Sequence, residues 1–303
     1  MELGMIGLGK MGAYMVERLM QGGHKVTGFD PSADARKAVE VHGAGSADSL
    51  PALVKALPTP RVVWLMVPSG KITDDTVNAL LPLLVKGDIV IDGGNSNYKD
   101  TVRRAKLYAD NGLGYVDCGT SGGVWGLKEG YSMMIGGDEK TVDALKPIFE
   151  TLAPAKDQGW GRVGPVGSGH FTKMVHNGIE YGLMQAYAEG FSILQHKQEF
   201  GLDLKQIGEI WRYGSVVRSW LLDLTTDALG KNPKMDGIAP YVVDSGEGRW
   251  TVDEAIDLNV PAPIITASLI ERLRSRDTES FSDKLLAAMR NEFGGHEIKS
   301  EAK

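Results

Sequence analysis

The sequence predicts an α/β + all-α chain, in which a doubly wound, mainly parallel sheet is followed by an all-helical domain. Two observations carry this. Up to about residue 165, short apolar runs alternate with helix-length amphipathic stretches, the pattern of strand–crossover–strand units whose right-handed connections leave their strands parallel. Beyond Gly169 the glycines thin out and helical spacing takes over.

The strand candidates are 3–6, 25–29, 61–67, 88–92, 115–117 and 131–135, most of them filled with Val, Ile, Met and Leu. Helical patterns follow at 171–197, 204–211, 219–229, 252–259, 264–274 and 280–292. The glycine-rich run 159–169 reads as the junction, giving a dinucleotide-binding domain over 1–165 and an all-helical domain over 166–303. At 303 residues the chain can bury two cores. Its net charge of −6 speaks against broad nucleic-acid or membrane-surface binding, so an anionic substrate would need cations gathered locally. The single cysteine, Cys118, cannot form an intrachain disulfide and sits in a strand pattern, which suits a structural thiol. With no leader pattern and no run of roughly 18 apolar residues, a cytoplasmic protein is expected.

Gly7-Leu8-Gly9-Lys10-Met11-Gly12 closes the first strand and opens a helix. Gly7 permits the tight turn, Gly9 lets a pyrophosphate approach the backbone, and Gly12 lets helix and strand pack closely. The helix N-terminus offers free N–H groups and its positive dipole end to the phosphates. Asp30, 18 residues beyond Gly12, ends the second strand. A carboxylate there accepts hydrogen bonds from ribose hydroxyls and repels a 2′-phosphate, which favours NAD over NADP. The plainer reading makes Asp30 the cap of a turn with Pro31. Pro31 and Ser32 bring no adjacent arginine, and Arg36 is six positions on. Val67-Pro68-Ser69 and Gly93-Gly94-Asn95 follow two further strands and fit the same crevice of a Rossmann-type sheet.

The second cluster lies on the first long helix. Lys173, His176, Asn177, Glu180 and Tyr181 fall at i, i+3, i+4, i+7 and i+8, one face of a helix. Met174, Val175, Ile179 and Leu183 make the other faces apolar, so the helix is expected to be largely buried. A buried polar stripe is costly without partners, and a ligand would supply them; the alternative is a solvated polar face. Gly178 and Gly182, each about 1 kcal/mol worse than Ala inside a helix, point to close contacts. No metal-ligand spacing is present, so no metal is expected.

With Asp92-Gly93-Gly94-Asn95-Ser96, Gly119-Thr120-Ser121-Gly122-Gly123 and 169–181 (G-H-F-T-K-M-V-H-N-G-I-E-Y), the chain resembles the 6-phosphogluconate dehydrogenase family over nearly its whole length. The resemblance implies oxidative decarboxylation of 6-phosphogluconate to ribulose 5-phosphate and CO₂ in the pentose phosphate route, with Lys173 as general base and Glu180 as later proton donor. It implies that Asn95, Ser121, Gly122, Gly123, His176, Asn177 and Tyr181 hold the sugar acid and that Arg272 binds its phosphate. It further implies that Arg290 and His296, in the R-x-x-F-G-x-H tail, reach a neighbouring subunit's site in a homodimer or homotetramer. The length fits a short form without the duplicated helical domain of longer members. Ser245 stands where longer members carry a phosphate-binding lysine, Arg249 follows nearby, and Val124-Trp125 replaces an acidic pair.

The chemistry is coherent with these residue types. An alcohol loses hydride only as its O–H proton leaves, and a lysine accepts that proton only when burial or neighbouring positive charge lets it be neutral. The rise of about 10 Å between i and i+7 lets Lys173 and Glu180 address different carbons. A β-keto acid carries its own electron sink, so decarboxylation needs no metal. Two other readings stay open: a dehydrogenase for a small unphosphorylated β-hydroxyacid, which would not need Arg272, Arg290 and His296, and an NAD-sensing binding module, which would not need both Lys173 and Glu180.

Overall fold

The structure is a computed structural model and describes residues 1–299. It divides into two compact units, Met1–Asn177 and Gly178–Lys303.

The first unit is built on eight strands: β1 (Glu2–Ile6), β2 (Lys25–Phe29), β3 (Gly45–Ala47), β4 (Val62–Leu65), β5 (Ile89–Asp92), β6 (Gly114–Ser121), β7 (Ser132–Gly136) and β8 (Trp160–Gly164). They form one sheet in the order β3-β2-β1-β4-β5-β6-β7-β8. β1 to β6 are parallel, β7 runs antiparallel to β6, and β8 is parallel to β7. The doubly wound sheet expected from the sequence is therefore present, with its change of strand order between β1 and β4, the place where such sheets bind ligands. Two strands were not expected. β3 is three residues long, and β8 occupies the first half of the glycine-rich run, so that half belongs to the sheet.

The helices of this unit are α1 (Lys10–Gln21), α2 (Ala33–Glu40), α3 (Leu50–Ala56), α4 (Lys71–Leu80), α5 (Tyr98–Asp110), α6 (Gly126–Glu129) and α7 (Glu139–Leu152). Alternate residues along the strands feed two cores. Leu3, Met5, Trp64 and Val116 pack with Met15 and Leu19 of α1 and Ile148 and Phe149 of α7. Ile6, Val63, Leu65 and Val90 pack with Leu53 of α3, Val77 and Leu80 of α4, and Tyr108 of α5. Both faces are covered, as a parallel sheet requires.

The long helix α8 (Ser168–His196) crosses the division between the units. The second unit continues with α9 (Leu204–Arg212), α10 (Trp220–Lys231), α11 (Glu247–Asp257), α12 (Pro263–Arg274) and α13 (Phe281–Gly294), all helical as expected. Phe191, Leu222 and Leu229 centre its core, with Tyr187, Leu204 and Trp211 packed around them. α9 meets α10 through Gly208, where a Cβ would lie 2.4 Å from Thr226 Oγ1. No helix among the described residues is long and apolar enough to cross a membrane.

Asp244 ties this unit together. Its carboxylate, with a side chain only 6% exposed, accepts Arg249 Nε (2.9 Å) and Nη2 (3.1 Å) and Arg276 Nη2 (2.6 Å). The hydrogen bonds from Arg249, and then Arg276, hold its carboxyl down at about 2. A depressed carboxyl stabilises the fold above its unfolded value near 3.9, and that contribution is lost as pH falls through the folded value. Asp244→Asn should therefore cost on the order of 2–3 kcal/mol at neutral pH. In denaturant titrations the gap from wild type should stay constant down to about pH 4 and close toward about pH 2.

Candidate active site

The loops after β1, β2, β4 and β5 surround a cavity of about 630 Å³. Gly7 has φ +92°, and a Cβ there would lie 2.3 Å from Met66 O. At Gly12 a Cβ would lie 2.0 Å from Gly7 O, so the turn and the helix-to-strand contact both exclude side chains. Over Gly9 the space is open, and no side chain caps the N-terminus of α1. A bare backbone beneath uncapped helix N–H groups fits a pyrophosphate. Gly7, Gly9, Lys10, Met11, Gly12, Asp30, Val67, Pro68, Ser69 and Asn95 all line this cavity. Leu8 does not; its side chain is buried in the core and only its N–H serves the loop.

Asp30 does two things at once. Its Oδ2 accepts Leu8 N (2.9 Å), fixing the glycine turn, and its Oδ1 accepts Ser32 N (2.8 Å), the turn cap of the plainer reading. Each oxygen keeps a further lone pair for a ribose hydroxyl. Arg36 is nearer than its sequence distance suggests. One turn into α2 its Nη1 donates to Asp30 O (2.6 Å) and Pro31 O (3.1 Å).

β6 seats the helix that carries the second cluster. Asp117, wholly buried on β6, accepts Gly167 N (2.6 Å) and His170 N (2.8 Å) at the start of α8. Two residues on, a Cβ at Gly119 would lie 2.4 Å from Lys173 Cβ and 2.7 Å from Gly169 O. At Gly169 a Cβ would lie 2.5 Å from Met134 O. The helix thus rests on the sheet backbone-to-backbone, and Lys173 lies against β6. Lys173 is only 5% exposed, and its Nζ donates to Asn177 Oδ1 (2.6 Å) and lies 3.3 Å from His176 Nδ1. β6 ends at Ser121, and Gly122 and Gly123, with φ of +132° and +51°, lead into a short 3₁₀ turn over Gly123–Trp125.

Within the second unit, Tyr181 and Arg272 come together. The Arg272 guanidinium lies 3.5 Å from the centroid of the Tyr181 ring, and Arg272 Nη1 donates to Val243 O (3.0 Å). The Tyr181 hydroxyl accepts Ser245 N (3.1 Å) and lies 3.3 Å from Ser245 Oγ. Ser245 is therefore joined to the tyrosine on whose ring Arg272 stacks. Arg249, four residues on, pairs with Asp244. Gly178 admits α11, since a Cβ there would lie 2.7 Å from Thr251 Cγ2. At Gly182 the corresponding distance, to Ile264 Cγ2, is an ordinary 3.5 Å.

The polar stripe of α8 is buried at Lys173, Asn177 and Tyr181 and half-buried at His176 and Glu180. The apolar side departs from expectation, because Ile179 (53%) and Leu183 (45%) are exposed within the single chain. Arg290, on α13, and His296, after it, are exposed, with His296 O accepting from Asn291. Cys118 is wholly buried, and burial pushes its thiol up to about 12, as suits a structural residue. Among the described residues no group of three or more His, Cys, Asp or Glu is placed to hold a metal.

Residues 2–161 match the family described as the NAD binding domain of 6-phosphogluconate dehydrogenase, and residues 169–301 match that described as 6-phosphogluconate dehydrogenase, C-terminal domain. The NAD(+)-dependent, decarboxylating 6-phosphogluconate dehydrogenase of Haloferax volcanii is 44% identical over 299 residues, covering 98% of both chains. The NADP(+)-dependent, decarboxylating enzyme of Bacillus subtilis is 39% identical over 290 residues, covering 90% of this chain and 61% of its own. Among solved structures, Plasmodium falciparum 6-phosphogluconate dehydrogenase superposes with a TM-score of 0.84 at 29% identity, over 99% of this chain and 66% of that one.

Gly119→Ala tests the seat of α8. The added methyl meets Lys173 Cβ and the Gly169 carbonyl, neither of which is the end of a flexible side chain. We expect stability to fall by about 1–3 kcal/mol and kcat by about 10²-fold from displacement of Lys173. NAD affinity, measured by calorimetry, should change little.

Proposed function

The chain belongs to the 6-phosphogluconate dehydrogenase family, in its short form, and on that premise we propose which of its residues carry the reaction. The activity is oxidative decarboxylation of 6-phosphogluconate, giving ribulose 5-phosphate and CO₂ with reduction of NAD. The observation that carries the residue assignment is Lys173, a buried amine on the helix that β6 seats, hydrogen-bonded to Asn177 and beside His176.

Bound NAD supplies the hydride acceptor. Lys173 takes the proton of the substrate's secondary alcohol as the hydride leaves, and Asn177 Oδ1 holds the amine in position for that transfer. The charged amine then stabilises negative charge on the new carbonyl oxygen while the C–CO₂ bond breaks, the electron pair passing onto that oxygen. Glu180, two turns on, gives its proton to the carbon left behind. Asn95, Ser121, Gly122, Gly123, His176, Asn177 and Tyr181 bind the sugar acid, and Arg272, stacked on the Tyr181 ring, binds its phosphate.

We assign residues 1–165 to cofactor binding and 166–303 to substrate binding and subunit association. Asp30 sets the preference for NAD, because a 2′-phosphate would meet its carboxylate. Arg290 and His296 act in a second subunit's site within a homodimer or homotetramer. Support for this comes from the bare apolar side of α13, where Phe281 (75%), Leu286 (57%) and Met289 (52%) are exposed, and from Ile179 and Leu183 on α8. A structural thiol and no disulfide suit the cytoplasm.

Lys173→Met removes the proton acceptor and keeps most of the side-chain volume. Turnover should fall by about 10²–10⁴-fold while calorimetric NAD affinity stays near wild type. Near-normal turnover would remove Lys173 as the base.

A further inference from the structure

Asn95 is exposed at the tip of a loop whose neighbours Asp92, Gly93, Gly94 and Ser96 are all buried. The loop is built from below. A Cβ at Gly93 would lie 2.1 Å from Trp64 Nε1, and one at Gly94 would lie 2.9 Å from Val67 O, so its backbone lies on the end of β4. Asp92 ends β5 and gathers the loop: Oδ1 accepts Gly94 N (3.2 Å), and Oδ2 accepts the hydroxyls of Ser96 (2.9 Å) and Tyr115 (3.1 Å). Such a carboxylate, 1% exposed, needs a cation, and Arg104 of α5, equally buried, provides it.

Arg104 does more than neutralise Asp92. Its Nη1 donates to Asp92 Oδ2 (3.3 Å) and Ser96 Oγ (3.1 Å), on the loop after β5. Its Nη2 donates to Gly70 O (3.3 Å), on the loop after β4, and its Nε to Asp74 Oδ1 (2.8 Å), in the first turn of α4. One planar guanidinium therefore spans the two loops that carry Val67, Pro68, Ser69 and Asn95 into the nucleotide cavity. Three residues earlier on α5, Thr101 Oγ1 donates to Asn97 O (3.3 Å), at the far end of the Asn95 loop, and lies 2.7 Å from His170 Nδ1 in α8.

We infer that Arg104 is a positioning residue for the dinucleotide, a strut that fixes the spacing of the two crevice loops from behind without touching the cofactor. This rests on the cavity being the NAD site. Lysine keeps the charge but presents a single point that cannot reach Gly70 O, Asp74 and Asp92 together. Arg104→Lys should therefore raise the calorimetric Kd and the KM for NAD by about 10- to 100-fold. At saturating NAD its kcat should stay within about threefold of wild type. Asp74→Asn, at a carboxylate one-third exposed, removes one anchor of the strut; it should raise the Kd for NAD by a smaller factor and carries the same test should Arg104→Lys not fold. Wild type measured alongside separates the two readings, since a wild type that does not bind NAD would sink the cofactor assignment and not the strut. A folded variant with unchanged NAD affinity, or one whose kcat falls with the folded fraction while the Kd stays put, would overturn the proposal.

Discussion

Most of the chemistry assigned to this chain depends on one buried carboxylate. Asp117 sits in the middle of the sheet with no exposure and spends its oxygens on the N–H groups of Gly167 and His170. Those are orphan donors where α8 begins, at the positive end of its dipole, so a buried charge is tolerated and the helix start is fixed together. Gly119 and Gly169 then bring the helix and sheet backbones into contact. Once the first turn is pinned, the 3.6-residue repeat decides where Lys173, His176 and Asn177 must fall. A helix seated through bulkier side chains would be free to slide or roll, and Lys173 with it.

The distribution of cations follows from the acidic balance of the chain. Several of its arginines are committed to carboxylates inside the fold: Arg104 to Asp92 and Asp74, Arg249 and Arg276 to Asp244, Arg212 to Asp223 and Glu209. Arg272 is held differently, by a backbone carbonyl and the face of Tyr181, which orient its guanidinium without neutralising it. That arrangement supports the phosphate-binding role proposed for Arg272.

Much of this was legible in the sequence. Val- and Ile-rich runs such as that of β5 announce a strand, and the spacing from Gly12 to Asp30 places both on one crevice. The face shared by Lys173, Asn177 and Tyr181 follows from helical geometry alone. What escaped did so for physical reasons. β3 is only three residues long and β8 is rich in glycine, and both lie at the edges of the sheet, where little burial forces an apolar pattern. Arg104 sits in a K-D-T-V-R-R run that reads as a solvated helix face, and only the tertiary placement of Asp92 and Asp74 turns it inward. Arg36 is six residues from Asp30 in the chain but one helical turn brings it back to the Asp30 carbonyl. The exposure of Ile179 and Leu183 was hidden for a different reason: periodicity shows that a face is apolar but not whether the same chain covers it.

What defines this scaffold is the coupling of hydride transfer to loss of CO₂ on a phosphorylated substrate with NAD. It is tested most directly by following NADH and released CO₂ together from purified protein, with 6-phosphogluconate against gluconate and NAD against NADP. Equal amounts of NADH and CO₂ are expected with 6-phosphogluconate and NAD, and little of either with gluconate or NADP. NADH without CO₂, or turnover of a small unphosphorylated hydroxyacid in place of 6-phosphogluconate, would contradict it.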